Sequence, residues 1–317
     1  MILRKDSYVS PGSLQVSYNS RIACFEEVVE LPGKAPEPPR YHILDLGSGK
    51  EIEAGEGVKG ATSCKISGDG KWAALEGDGL RLVSLATFQS TRIAEEMSGG
   101  FWMGSKLLIV SFRAGGSGRL GLVISALKVY DPTSGKTENW ELAGLPLASD
   151  PEGKFLLVAT DQRSPQRDFD PEGTNAMICV DSNGRINEAV GPFFDCSSTP
   201  VISPLCKWIA FQSRPKDAGE AKEKGNKIVL FDVDRKRATS IEESVVPIGV
   251  TDSGTVVLLG ESAWLQGSPI RLYSHKDGIA TGLVERAFGA TVANNKVYYV
   301  TGRGETARLV WIDLPSK

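Results

Sequence analysis

One pattern recurs seven times along the chain and limits what it can fold into. A few small or apolar residues meet a tight turn, and a Lys or Arg then opens a hydrophobic run. The copies are VSYNSRIACF ending at Phe25, KISGDGKWAAL ending at Leu75, FWMGSKLLIV ending at Val110, LASDPEGKFLLVA ending at Ala159, VISPLCKWIAF ending at Phe211, GVTDSGTVVLL ending at Leu259 and TVANNKVYYV ending at Val300. The residues after the turns are Arg21, Lys71, Lys106, Lys154, Lys207, Thr255 (the one exception to a basic residue) and Lys296. Their mean spacing of about 46 residues lies in the range of stacked or radial repeats.

A second signature follows each first one. It reads as strand, turn, strand in YHILDLGSGKEI from Tyr41, LKVYDPTSGKTEN from Leu127, AMICVDSNGRINE from Ala176, KIVLFDVDRKRAT from Lys227, PIRLYSHKDGIAT from Pro269 and ARLVWIDLPSK from Ala307, with a weaker copy from Leu80. Each unit therefore predicts four antiparallel strands, A to D, with B and C rich in Val, Ile, Leu and aromatics as buried strands require. Asp45, Asp131, Asp181, Asp232 and Asp313 stand where strand C meets the turn, a place for Asx-turns rather than catalysis. The 35 Gly and 17 Pro suit many tight turns. Long amphipathic helices are absent; only AKEKG near Ala221 and TRIAEEM near Thr91 can pass for a helical turn. The expected fold is an all-β, seven-bladed β-propeller of four-stranded antiparallel blades, one domain over 1–317. The blades fall near 12–56, 60–95, 99–141, 145–190, 198–242, 246–284 and 287–317 plus 2–9. The last unit reaches Lys317 with room for strand C alone. Ile2–Val9, otherwise unassigned, is expected to close the last blade as an N-terminal strand.

ISGDGKWAAL, LASDPEGKFLLVAT and VISPLCKWIAFQSRPK followed by KIVLFDVD resemble the WD40-like repeats of TolB-type propellers, whose pattern is roughly S-P-D-G-K-x-I-A-F-x-S-x-R and then I-Y-V-x-D. LVWID near Trp311 is similar to the Trp-Asp ending of WD40 blades. The resemblance spans nearly the whole chain in degenerate copies. It implies the fold and leaves function open, because such propellers serve as scaffolds, lyases, lactonases and peptidase gates.

Several chemistries lack their residues. A net charge of -3 gives no basic stripe for nucleic acid. No apolar run is long enough for a membrane helix, and no signal peptide is visible at the N-terminus. Cys24, Cys64, Cys179, Cys196 and Cys206 form no C-x-x-C pair and are expected as buried free thiols. Their odd number favours the cytoplasm, with the periplasm or secretion as the alternative if a leader was removed. The only histidines, His42 and His275, are predicted on opposite sides of their blades, so a His-based metal or lyase site is not expected. Asp168, Asp170 and Glu172 resemble a calcium loop, but Cys179 stands where the closing acid is required. GGSGRLG from Gly115 lacks the ending of a phosphate-binding loop, and no G-x-S-x-G elbow occurs. No metal, cofactor or catalytic constellation is implied.

The insertions point to binding. Nearly all lie between strands B and C: Glu26 to Arg40, Arg113 to Gly121, Asp161 to Thr174, Arg214 to Gly225 and Ser262 to Gly267. Long loops on one side of a rigid scaffold are the usual place for recognition. Arg113, Arg163, Arg214 and Arg303 recur near the end of strand B and offer guanidiniums to carboxylate or phosphate groups, or else tie a loop to its neighbour. Trp102 and Trp264 are candidate aromatic anchors, or else fill gaps between blades. The leading expectation is a non-catalytic scaffold that binds a protein or peptide partner through its B–C loop face. The alternatives are a carbohydrate- or lactone-active propeller enzyme and a glycan or small-ligand receptor.

Overall fold

The computed structural model describes residues 3, 6–10, 12–29, 40–52, 61–94, 98–114, 122–140, 144–161, 175–182, 186–189, 199–213, 227–241, 245–260 and 266–315. Seven antiparallel sheets follow one another along the chain. The first holds β1 (Ser7–Val9), β2 (Gln15–Val16), β3 (Ile22–Val29), β4 (Arg40–Asp45) and β5 (Lys50–Ile52). The second holds β6 (Ser63–Ile66), β7 (Trp72–Gly77), β8 (Gly79–Ser84) and β9 (Ser90–Ala94). The third holds β10 (Ser98–Met103), β11 (Lys106–Ala114), β12 (Leu122–Asp131) and β13 (Lys136–Trp140). The fourth holds β14 (Leu145–Ser149), β15 (Phe155–Asp161), β16 (Asn175–Asp181) and β17 (Ile186–Ala189). The fifth holds β18 (Val201–Ile202), β19 (Trp208–Ser213), β20 (Lys227–Asp232) and β21 (Arg237–Ile241). The sixth holds β22 (Val245–Val250), β23 (Thr255–Gly260), β24 (Ser268–Ser274) and β25 (Ile279–Ala287), and the last β26 (Ala290–Ala293), β27 (Lys296–Thr301) and β28 (Arg308–Asp313). The segment at Thr91, a candidate for a helical turn in the sequence, is strand β9. Among the described residues helix is confined to a 3-10 turn at Gly304–Thr306.

The chain divides into two compact units, one of residues 1–96, 259–272 and 280–317, the other of residues 97–258 and 273–279. In each, the B and C strands carry the core. Ala73, Ala74 and Leu75 of β7 are all buried, as are Ile228 to Asp232 of β20, so both faces of these strands are covered. The D strands are the reverse: β13 exposes its first four residues and β9 its first three. Polar, charged D strands blunt the free edge each sheet would otherwise offer. In the first unit Ile22, Cys24, Ile43, Cys64, Ile66 and Leu75 form one apolar cluster. In the second, Leu108, Ile124, Leu127, Trp140, Leu156 and Val158 form another. Each such side chain contributes about 1.5–3 kcal/mol on full burial.

The A–B turns explain the first sequence signature. The hydroxyl of Ser67 accepts hydrogen bonds from the backbone N–H of Lys71 (3.2 Å) and Trp72 (3.1 Å), and that of Ser203 from Lys207 (3.0 Å) and Trp208 (3.1 Å). Ser17 takes the N–H of Ile22 at 2.9 Å, Thr251 that of Thr255 at 3.1 Å, and the Asp150 carboxylate that of Phe155 at 2.6 Å. Five blades thus end strand A on the same oxygen bracket. Each bracketed turn needs one left-handed residue: Gly70, Gly153 and Gly254 supply it, but Ser20 (φ 58) and Cys206 (φ 54) do so too, at about 1–2 kcal/mol each. Space as well as φ demands glycine where the third and fourth blades meet. A Cβ on Gly104 would lie 2.8 Å from the Glu152 carbonyl carbon, and one on Gly153 would lie 2.7 Å from the Met103 carbonyl.

The N-terminal closure differs from expectation. β1 pairs with β3 of the first blade, through Ser7↔Val29, Tyr8↔Val28 and Val9↔Glu27, and not with the last blade. β2 pairs with the other end of the same β3 edge, so β1 and β2 together make a broken strand A. Ser10 and Ser13 pin the break: Ser10 N–H donates to the Glu26 carbonyl and the Ser13 hydroxyl accepts Glu26 N–H. The last sheet has three strands among the described residues. β1 still packs towards it: Leu3, Val9 and Leu14 share a cluster with Phe25, Val300 and Ala307. Its apolar side chains reach the last blade while its backbone bonds follow the first. The extra pairing also lengthens β3 to Val29, so Glu26 to Val29, expected in a loop, are strand.

Candidate functional site

In a four-stranded antiparallel blade the B–C and D–A connections leave by one edge, and the A–B and C–D turns by the other. The two edges differ here. On the A–B side, β10 ends at Met103 and β11 begins at Lys106; β22 ends at Val250 and β23 begins at Thr255. The C–D turns are as short and equally tied. Asp45 Oδ1 accepts the N–H groups of Gly47 and Ser48 at 2.9 Å each, Asp131 Oδ1 that of Thr133 at 2.8 Å, and Asp232 Oδ1 that of Arg235 at 2.9 Å. The bond from Ser48 N–H does most to hold the Asp45 carboxyl below the usual carboxylate range, and the Ser134 hydroxyl does the same for Asp131. These carboxylates, which their number alone could suggest for catalysis, are turn caps.

The B–C edge is different. β11 ends at Ala114 and β12 begins at Leu122; β15 ends at Asp161 and β16 begins at Asn175; β19 ends at Ser213 and β20 begins at Lys227. These three connections belong to the second unit, whereas the one between β23, ending at Gly260, and β24, starting at Ser268, matches that between β11 and β12 in length and belongs to the first. In the first unit β3 and β4 are joined by a comparable stretch, whereas β7 and β8 meet in a tight hairpin at Gly77–Gly79.

Arg113 lies in β11 opposite Val123, one residue before the connection; its side chain is outside the described set. Arg163, Arg214 and Trp264 lie outside the described residues, as do Asp168, Asp170 and Glu172 of the calcium-like stretch. Arg303 is already engaged: its guanidinium sits over the Tyr8 ring, 5.1 Å from the centroid, and its carbonyl accepts the Thr306 hydroxyl at 2.7 Å. It ties β1 to the B–C connection of the last blade. Trp102 is in β10, paired with Leu107, and only 9% exposed. The two histidines sit in different units: His42 is held by carboxylates, and His275 packs against Trp208 at 4.8 Å.

One polar cluster was missed from sequence. Glu27, 2% exposed, accepts the Ser7 hydroxyl on Oε1 at 2.6 Å and faces His42 Nε2 with Oε2 at 3.0 Å. His42 Nδ1 lies 2.7 Å from Glu51 Oε1, and the ring stacks on Phe25 at 5.0 Å. With a carboxylate at each nitrogen, the imidazole makes both bonds as a donor only in its cationic form. The serine bonds to the glutamate and not to the histidine, so the order is not that of a nucleophile and its base. The arrangement pins strands β1, β3, β4 and β5 together at the B–C end of the first blade. An acidic pair at Glu26 and Glu27 inside an apolar run was the only sequence signal for it.

No family model matches the chain, and no curated protein matches it by sequence. Solved structures share its fold. Hydrazine synthase from Kuenenia stuttgartiensis aligns over 99% of this chain and 98% of that one, with 11% identity and a TM-score of 0.60. The β-propeller domain of the Trilobed protease from Pyrococcus furiosus, described as having an open velcro topology, aligns over 98% and 99% with 17% identity and a TM-score of 0.60. Acylaminoacyl peptidase from Pyrococcus horikoshii matches 96% of this chain at 13% identity and a TM-score of 0.61, and the chain spans 51% of that peptidase. Likeness at these identities establishes fold alone. The chain is an all-β protein of the seven-bladed β-propeller class, with four-stranded antiparallel blades.

Proposed function

We propose that this propeller is a non-catalytic scaffold of the TolB-like, WD40-like kind that binds a protein or peptide partner along the B–C edge of its third to fifth blades. The observation that carries this reading is the asymmetry between the two edges. Among the described residues one edge has short turns, most of them locked by Ser, Thr or Asp brackets; the other carries the long connections, three of them in the second unit. Arg113, Arg163 and Arg214 enter or occupy those three connections, where planar guanidiniums favour a carboxylate-rich partner. Arg303 leaves this set, because its guanidinium is used on Tyr8. A glycan-receptor reading has less support, since Trp102, which it needs at the surface, is buried.

The test compares capture from native extract by the wild-type chain and by the triple variant Arg113→Ala, Arg163→Ala, Arg214→Ala, both shown folded by circular dichroism. A partner retained by wild type and lost by the variant supports the reading. Equal capture removes the arginines from it, and a folded bait that captures nothing argues against a protein partner.

A further inference from the structure

Four of the five cysteines stand in two pairs, and each pair joins neighbouring blades. Cys24 is on β3 of the first blade and Cys64 on β6 of the second, both buried, with their Sγ atoms 2.7 Å apart. Unbonded sulfurs in contact stay well beyond 3 Å, and a disulfide closes at about 2.05 Å, so bonding needs an approach of only ~0.7 Å. Nothing intervenes: both thiols sit in one apolar cluster with Ile22, Ile66 and Leu75. The second pair is in the other unit. Cys179 on β16 of the fourth blade and Cys206 in the A–B turn of the fifth share a buried cluster with Leu157 and Ile209, with the two free thiols in hydrogen-bonding contact.

Cys206 has a further mark. It occupies the left-handed position of its turn, φ 54, where three sister turns use Gly70, Gly153 and Gly254 and the first uses Ser20. Its side chain is buried in a cluster that holds a second thiol, that of Cys179. Cys196, the odd cysteine, lies outside the described residues.

We propose that Cys24–Cys64 and Cys179–Cys206 are the sites of two inter-blade disulfides, formed while the chain folds and sealed once it has folded. The oxidant is a low-molecular-weight disulfide such as oxidised glutathione. One cysteine thiolate attacks it, giving a mixed disulfide and releasing one glutathione thiolate. The second cysteine, as thiolate, then displaces the other. Each protein disulfide thus delivers two electrons to the glutathione, which leaves as two thiols carrying the two protons. Burial decides the timing. All four paired thiols are buried in the folded chain, out of reach of a glutathione molecule, and burial also pushes the Cys24 thiol well up, as contact with Cys179 together with burial does for Cys206. The same burial then shields the finished bonds. The odd cysteine count ceases to argue for a reducing compartment, because one thiol is left over after two bonds.

The test refolds the denatured, reduced full-length chain in a glutathione redox buffer, with a parallel sample under excess reductant. Both are then unfolded, alkylated, weighed intact and mapped by peptide mass spectrometry. The proposal expects a chain lighter by four hydrogens, with one alkylated cysteine, Cys196, and cross-linked peptides 24–64 and 179–206. The oxidised sample should melt roughly 5–10 °C above the reduced one. Already folded reduced protein, given the same oxidant, should keep its four paired thiols far longer than the refolding chain does. Five alkylated cysteines after oxidative refolding, or a bond to Cys196, overturns the proposal; one bond alone overturns it for the other pair. Rapid oxidation of the folded protein refutes formation during folding.

Discussion

Replacing His42 by Leu tests whether the buried polar cluster in the first blade is an ion pair that holds the N-terminal strand. Glu27 is 2% exposed and has the Ser7 hydroxyl on one oxygen and the His42 ring on the other. Removing the ring takes the His42 bond away from a carboxylate that stays buried. Breaking such a pair from one side costs about 3–5 kcal/mol, and the lost stacking on Phe25 belongs within that figure because Leu refills part of the space. Glu27→Gln should cost less, about 1–2 kcal/mol, since the amide oxygen still accepts one of the two donors and no charge is stranded. In the double variant the stranded charge is gone, so its cost should fall below the sum of the single costs by about 2 kcal/mol. Urea unfolding at neutral pH, followed by far-ultraviolet circular dichroism at constant slope, reads all three. A His42→Leu cost under about 1 kcal/mol, or strictly additive costs, would show that Glu27 does not depend on the imidazolium, and the argument would fail.

Three further outcomes follow from the turns. Gly153→Ala forces a Cβ to 2.7 Å from the Met103 carbonyl at φ 71 and should destabilise the fold by about 2 kcal/mol or more in the same urea assay, whereas Gly135→Ala, with open space around it, should cost only about 1 kcal/mol for its φ. Ser67→Ala and Ser203→Ala each remove a bracket from two backbone N–H groups and should cost about 1 kcal/mol apiece; they lie in different units, so the double variant should be additive. Asp45 and Asp131 have folded carboxyls depressed below their unfolded values, so their stabilisation is present above the unfolded value of about 3.9 and is lost as pH falls through the lower folded one. The gap in stability between wild type and Asp45→Asn, Asp131→Asn, taken from melting curves, should therefore be constant near neutrality and shrink only in acid.

The sequence pattern carried the repeat, because a buried B strand demands a continuous apolar run and its turn demands a bracketing oxygen, and both are local. ISGDGKWAAL and VISPLCKWIAF state this within a dozen residues. The N-terminal strand was assigned to the wrong partner for the same reason: SYV fits any open edge. The choice of β3 rests on Ser7 meeting Glu27 and on the Ser10–Ser13 break, both visible only after folding. The Ser7–Glu27–His42–Glu51 cluster was likewise illegible, since it gathers residues from four strands. Arg303 looked equivalent to the other arginines by spacing, but Tyr8, far away in the chain, takes its guanidinium. The cysteine pairs were hidden because each partner belongs to a different repeat.

The edge asymmetry is tested most directly by site-specific photo-cross-linking. A benzophenone amino acid is placed at Gln166 and Asp217 in two B–C connections, and at Thr133 and Lys236 in two C–D turns, in otherwise native protein. The account predicts that the same partner is covalently trapped from the B–C positions and not from the C–D positions. Trapping from the C–D turns alone, or equally from both edges, would contradict it.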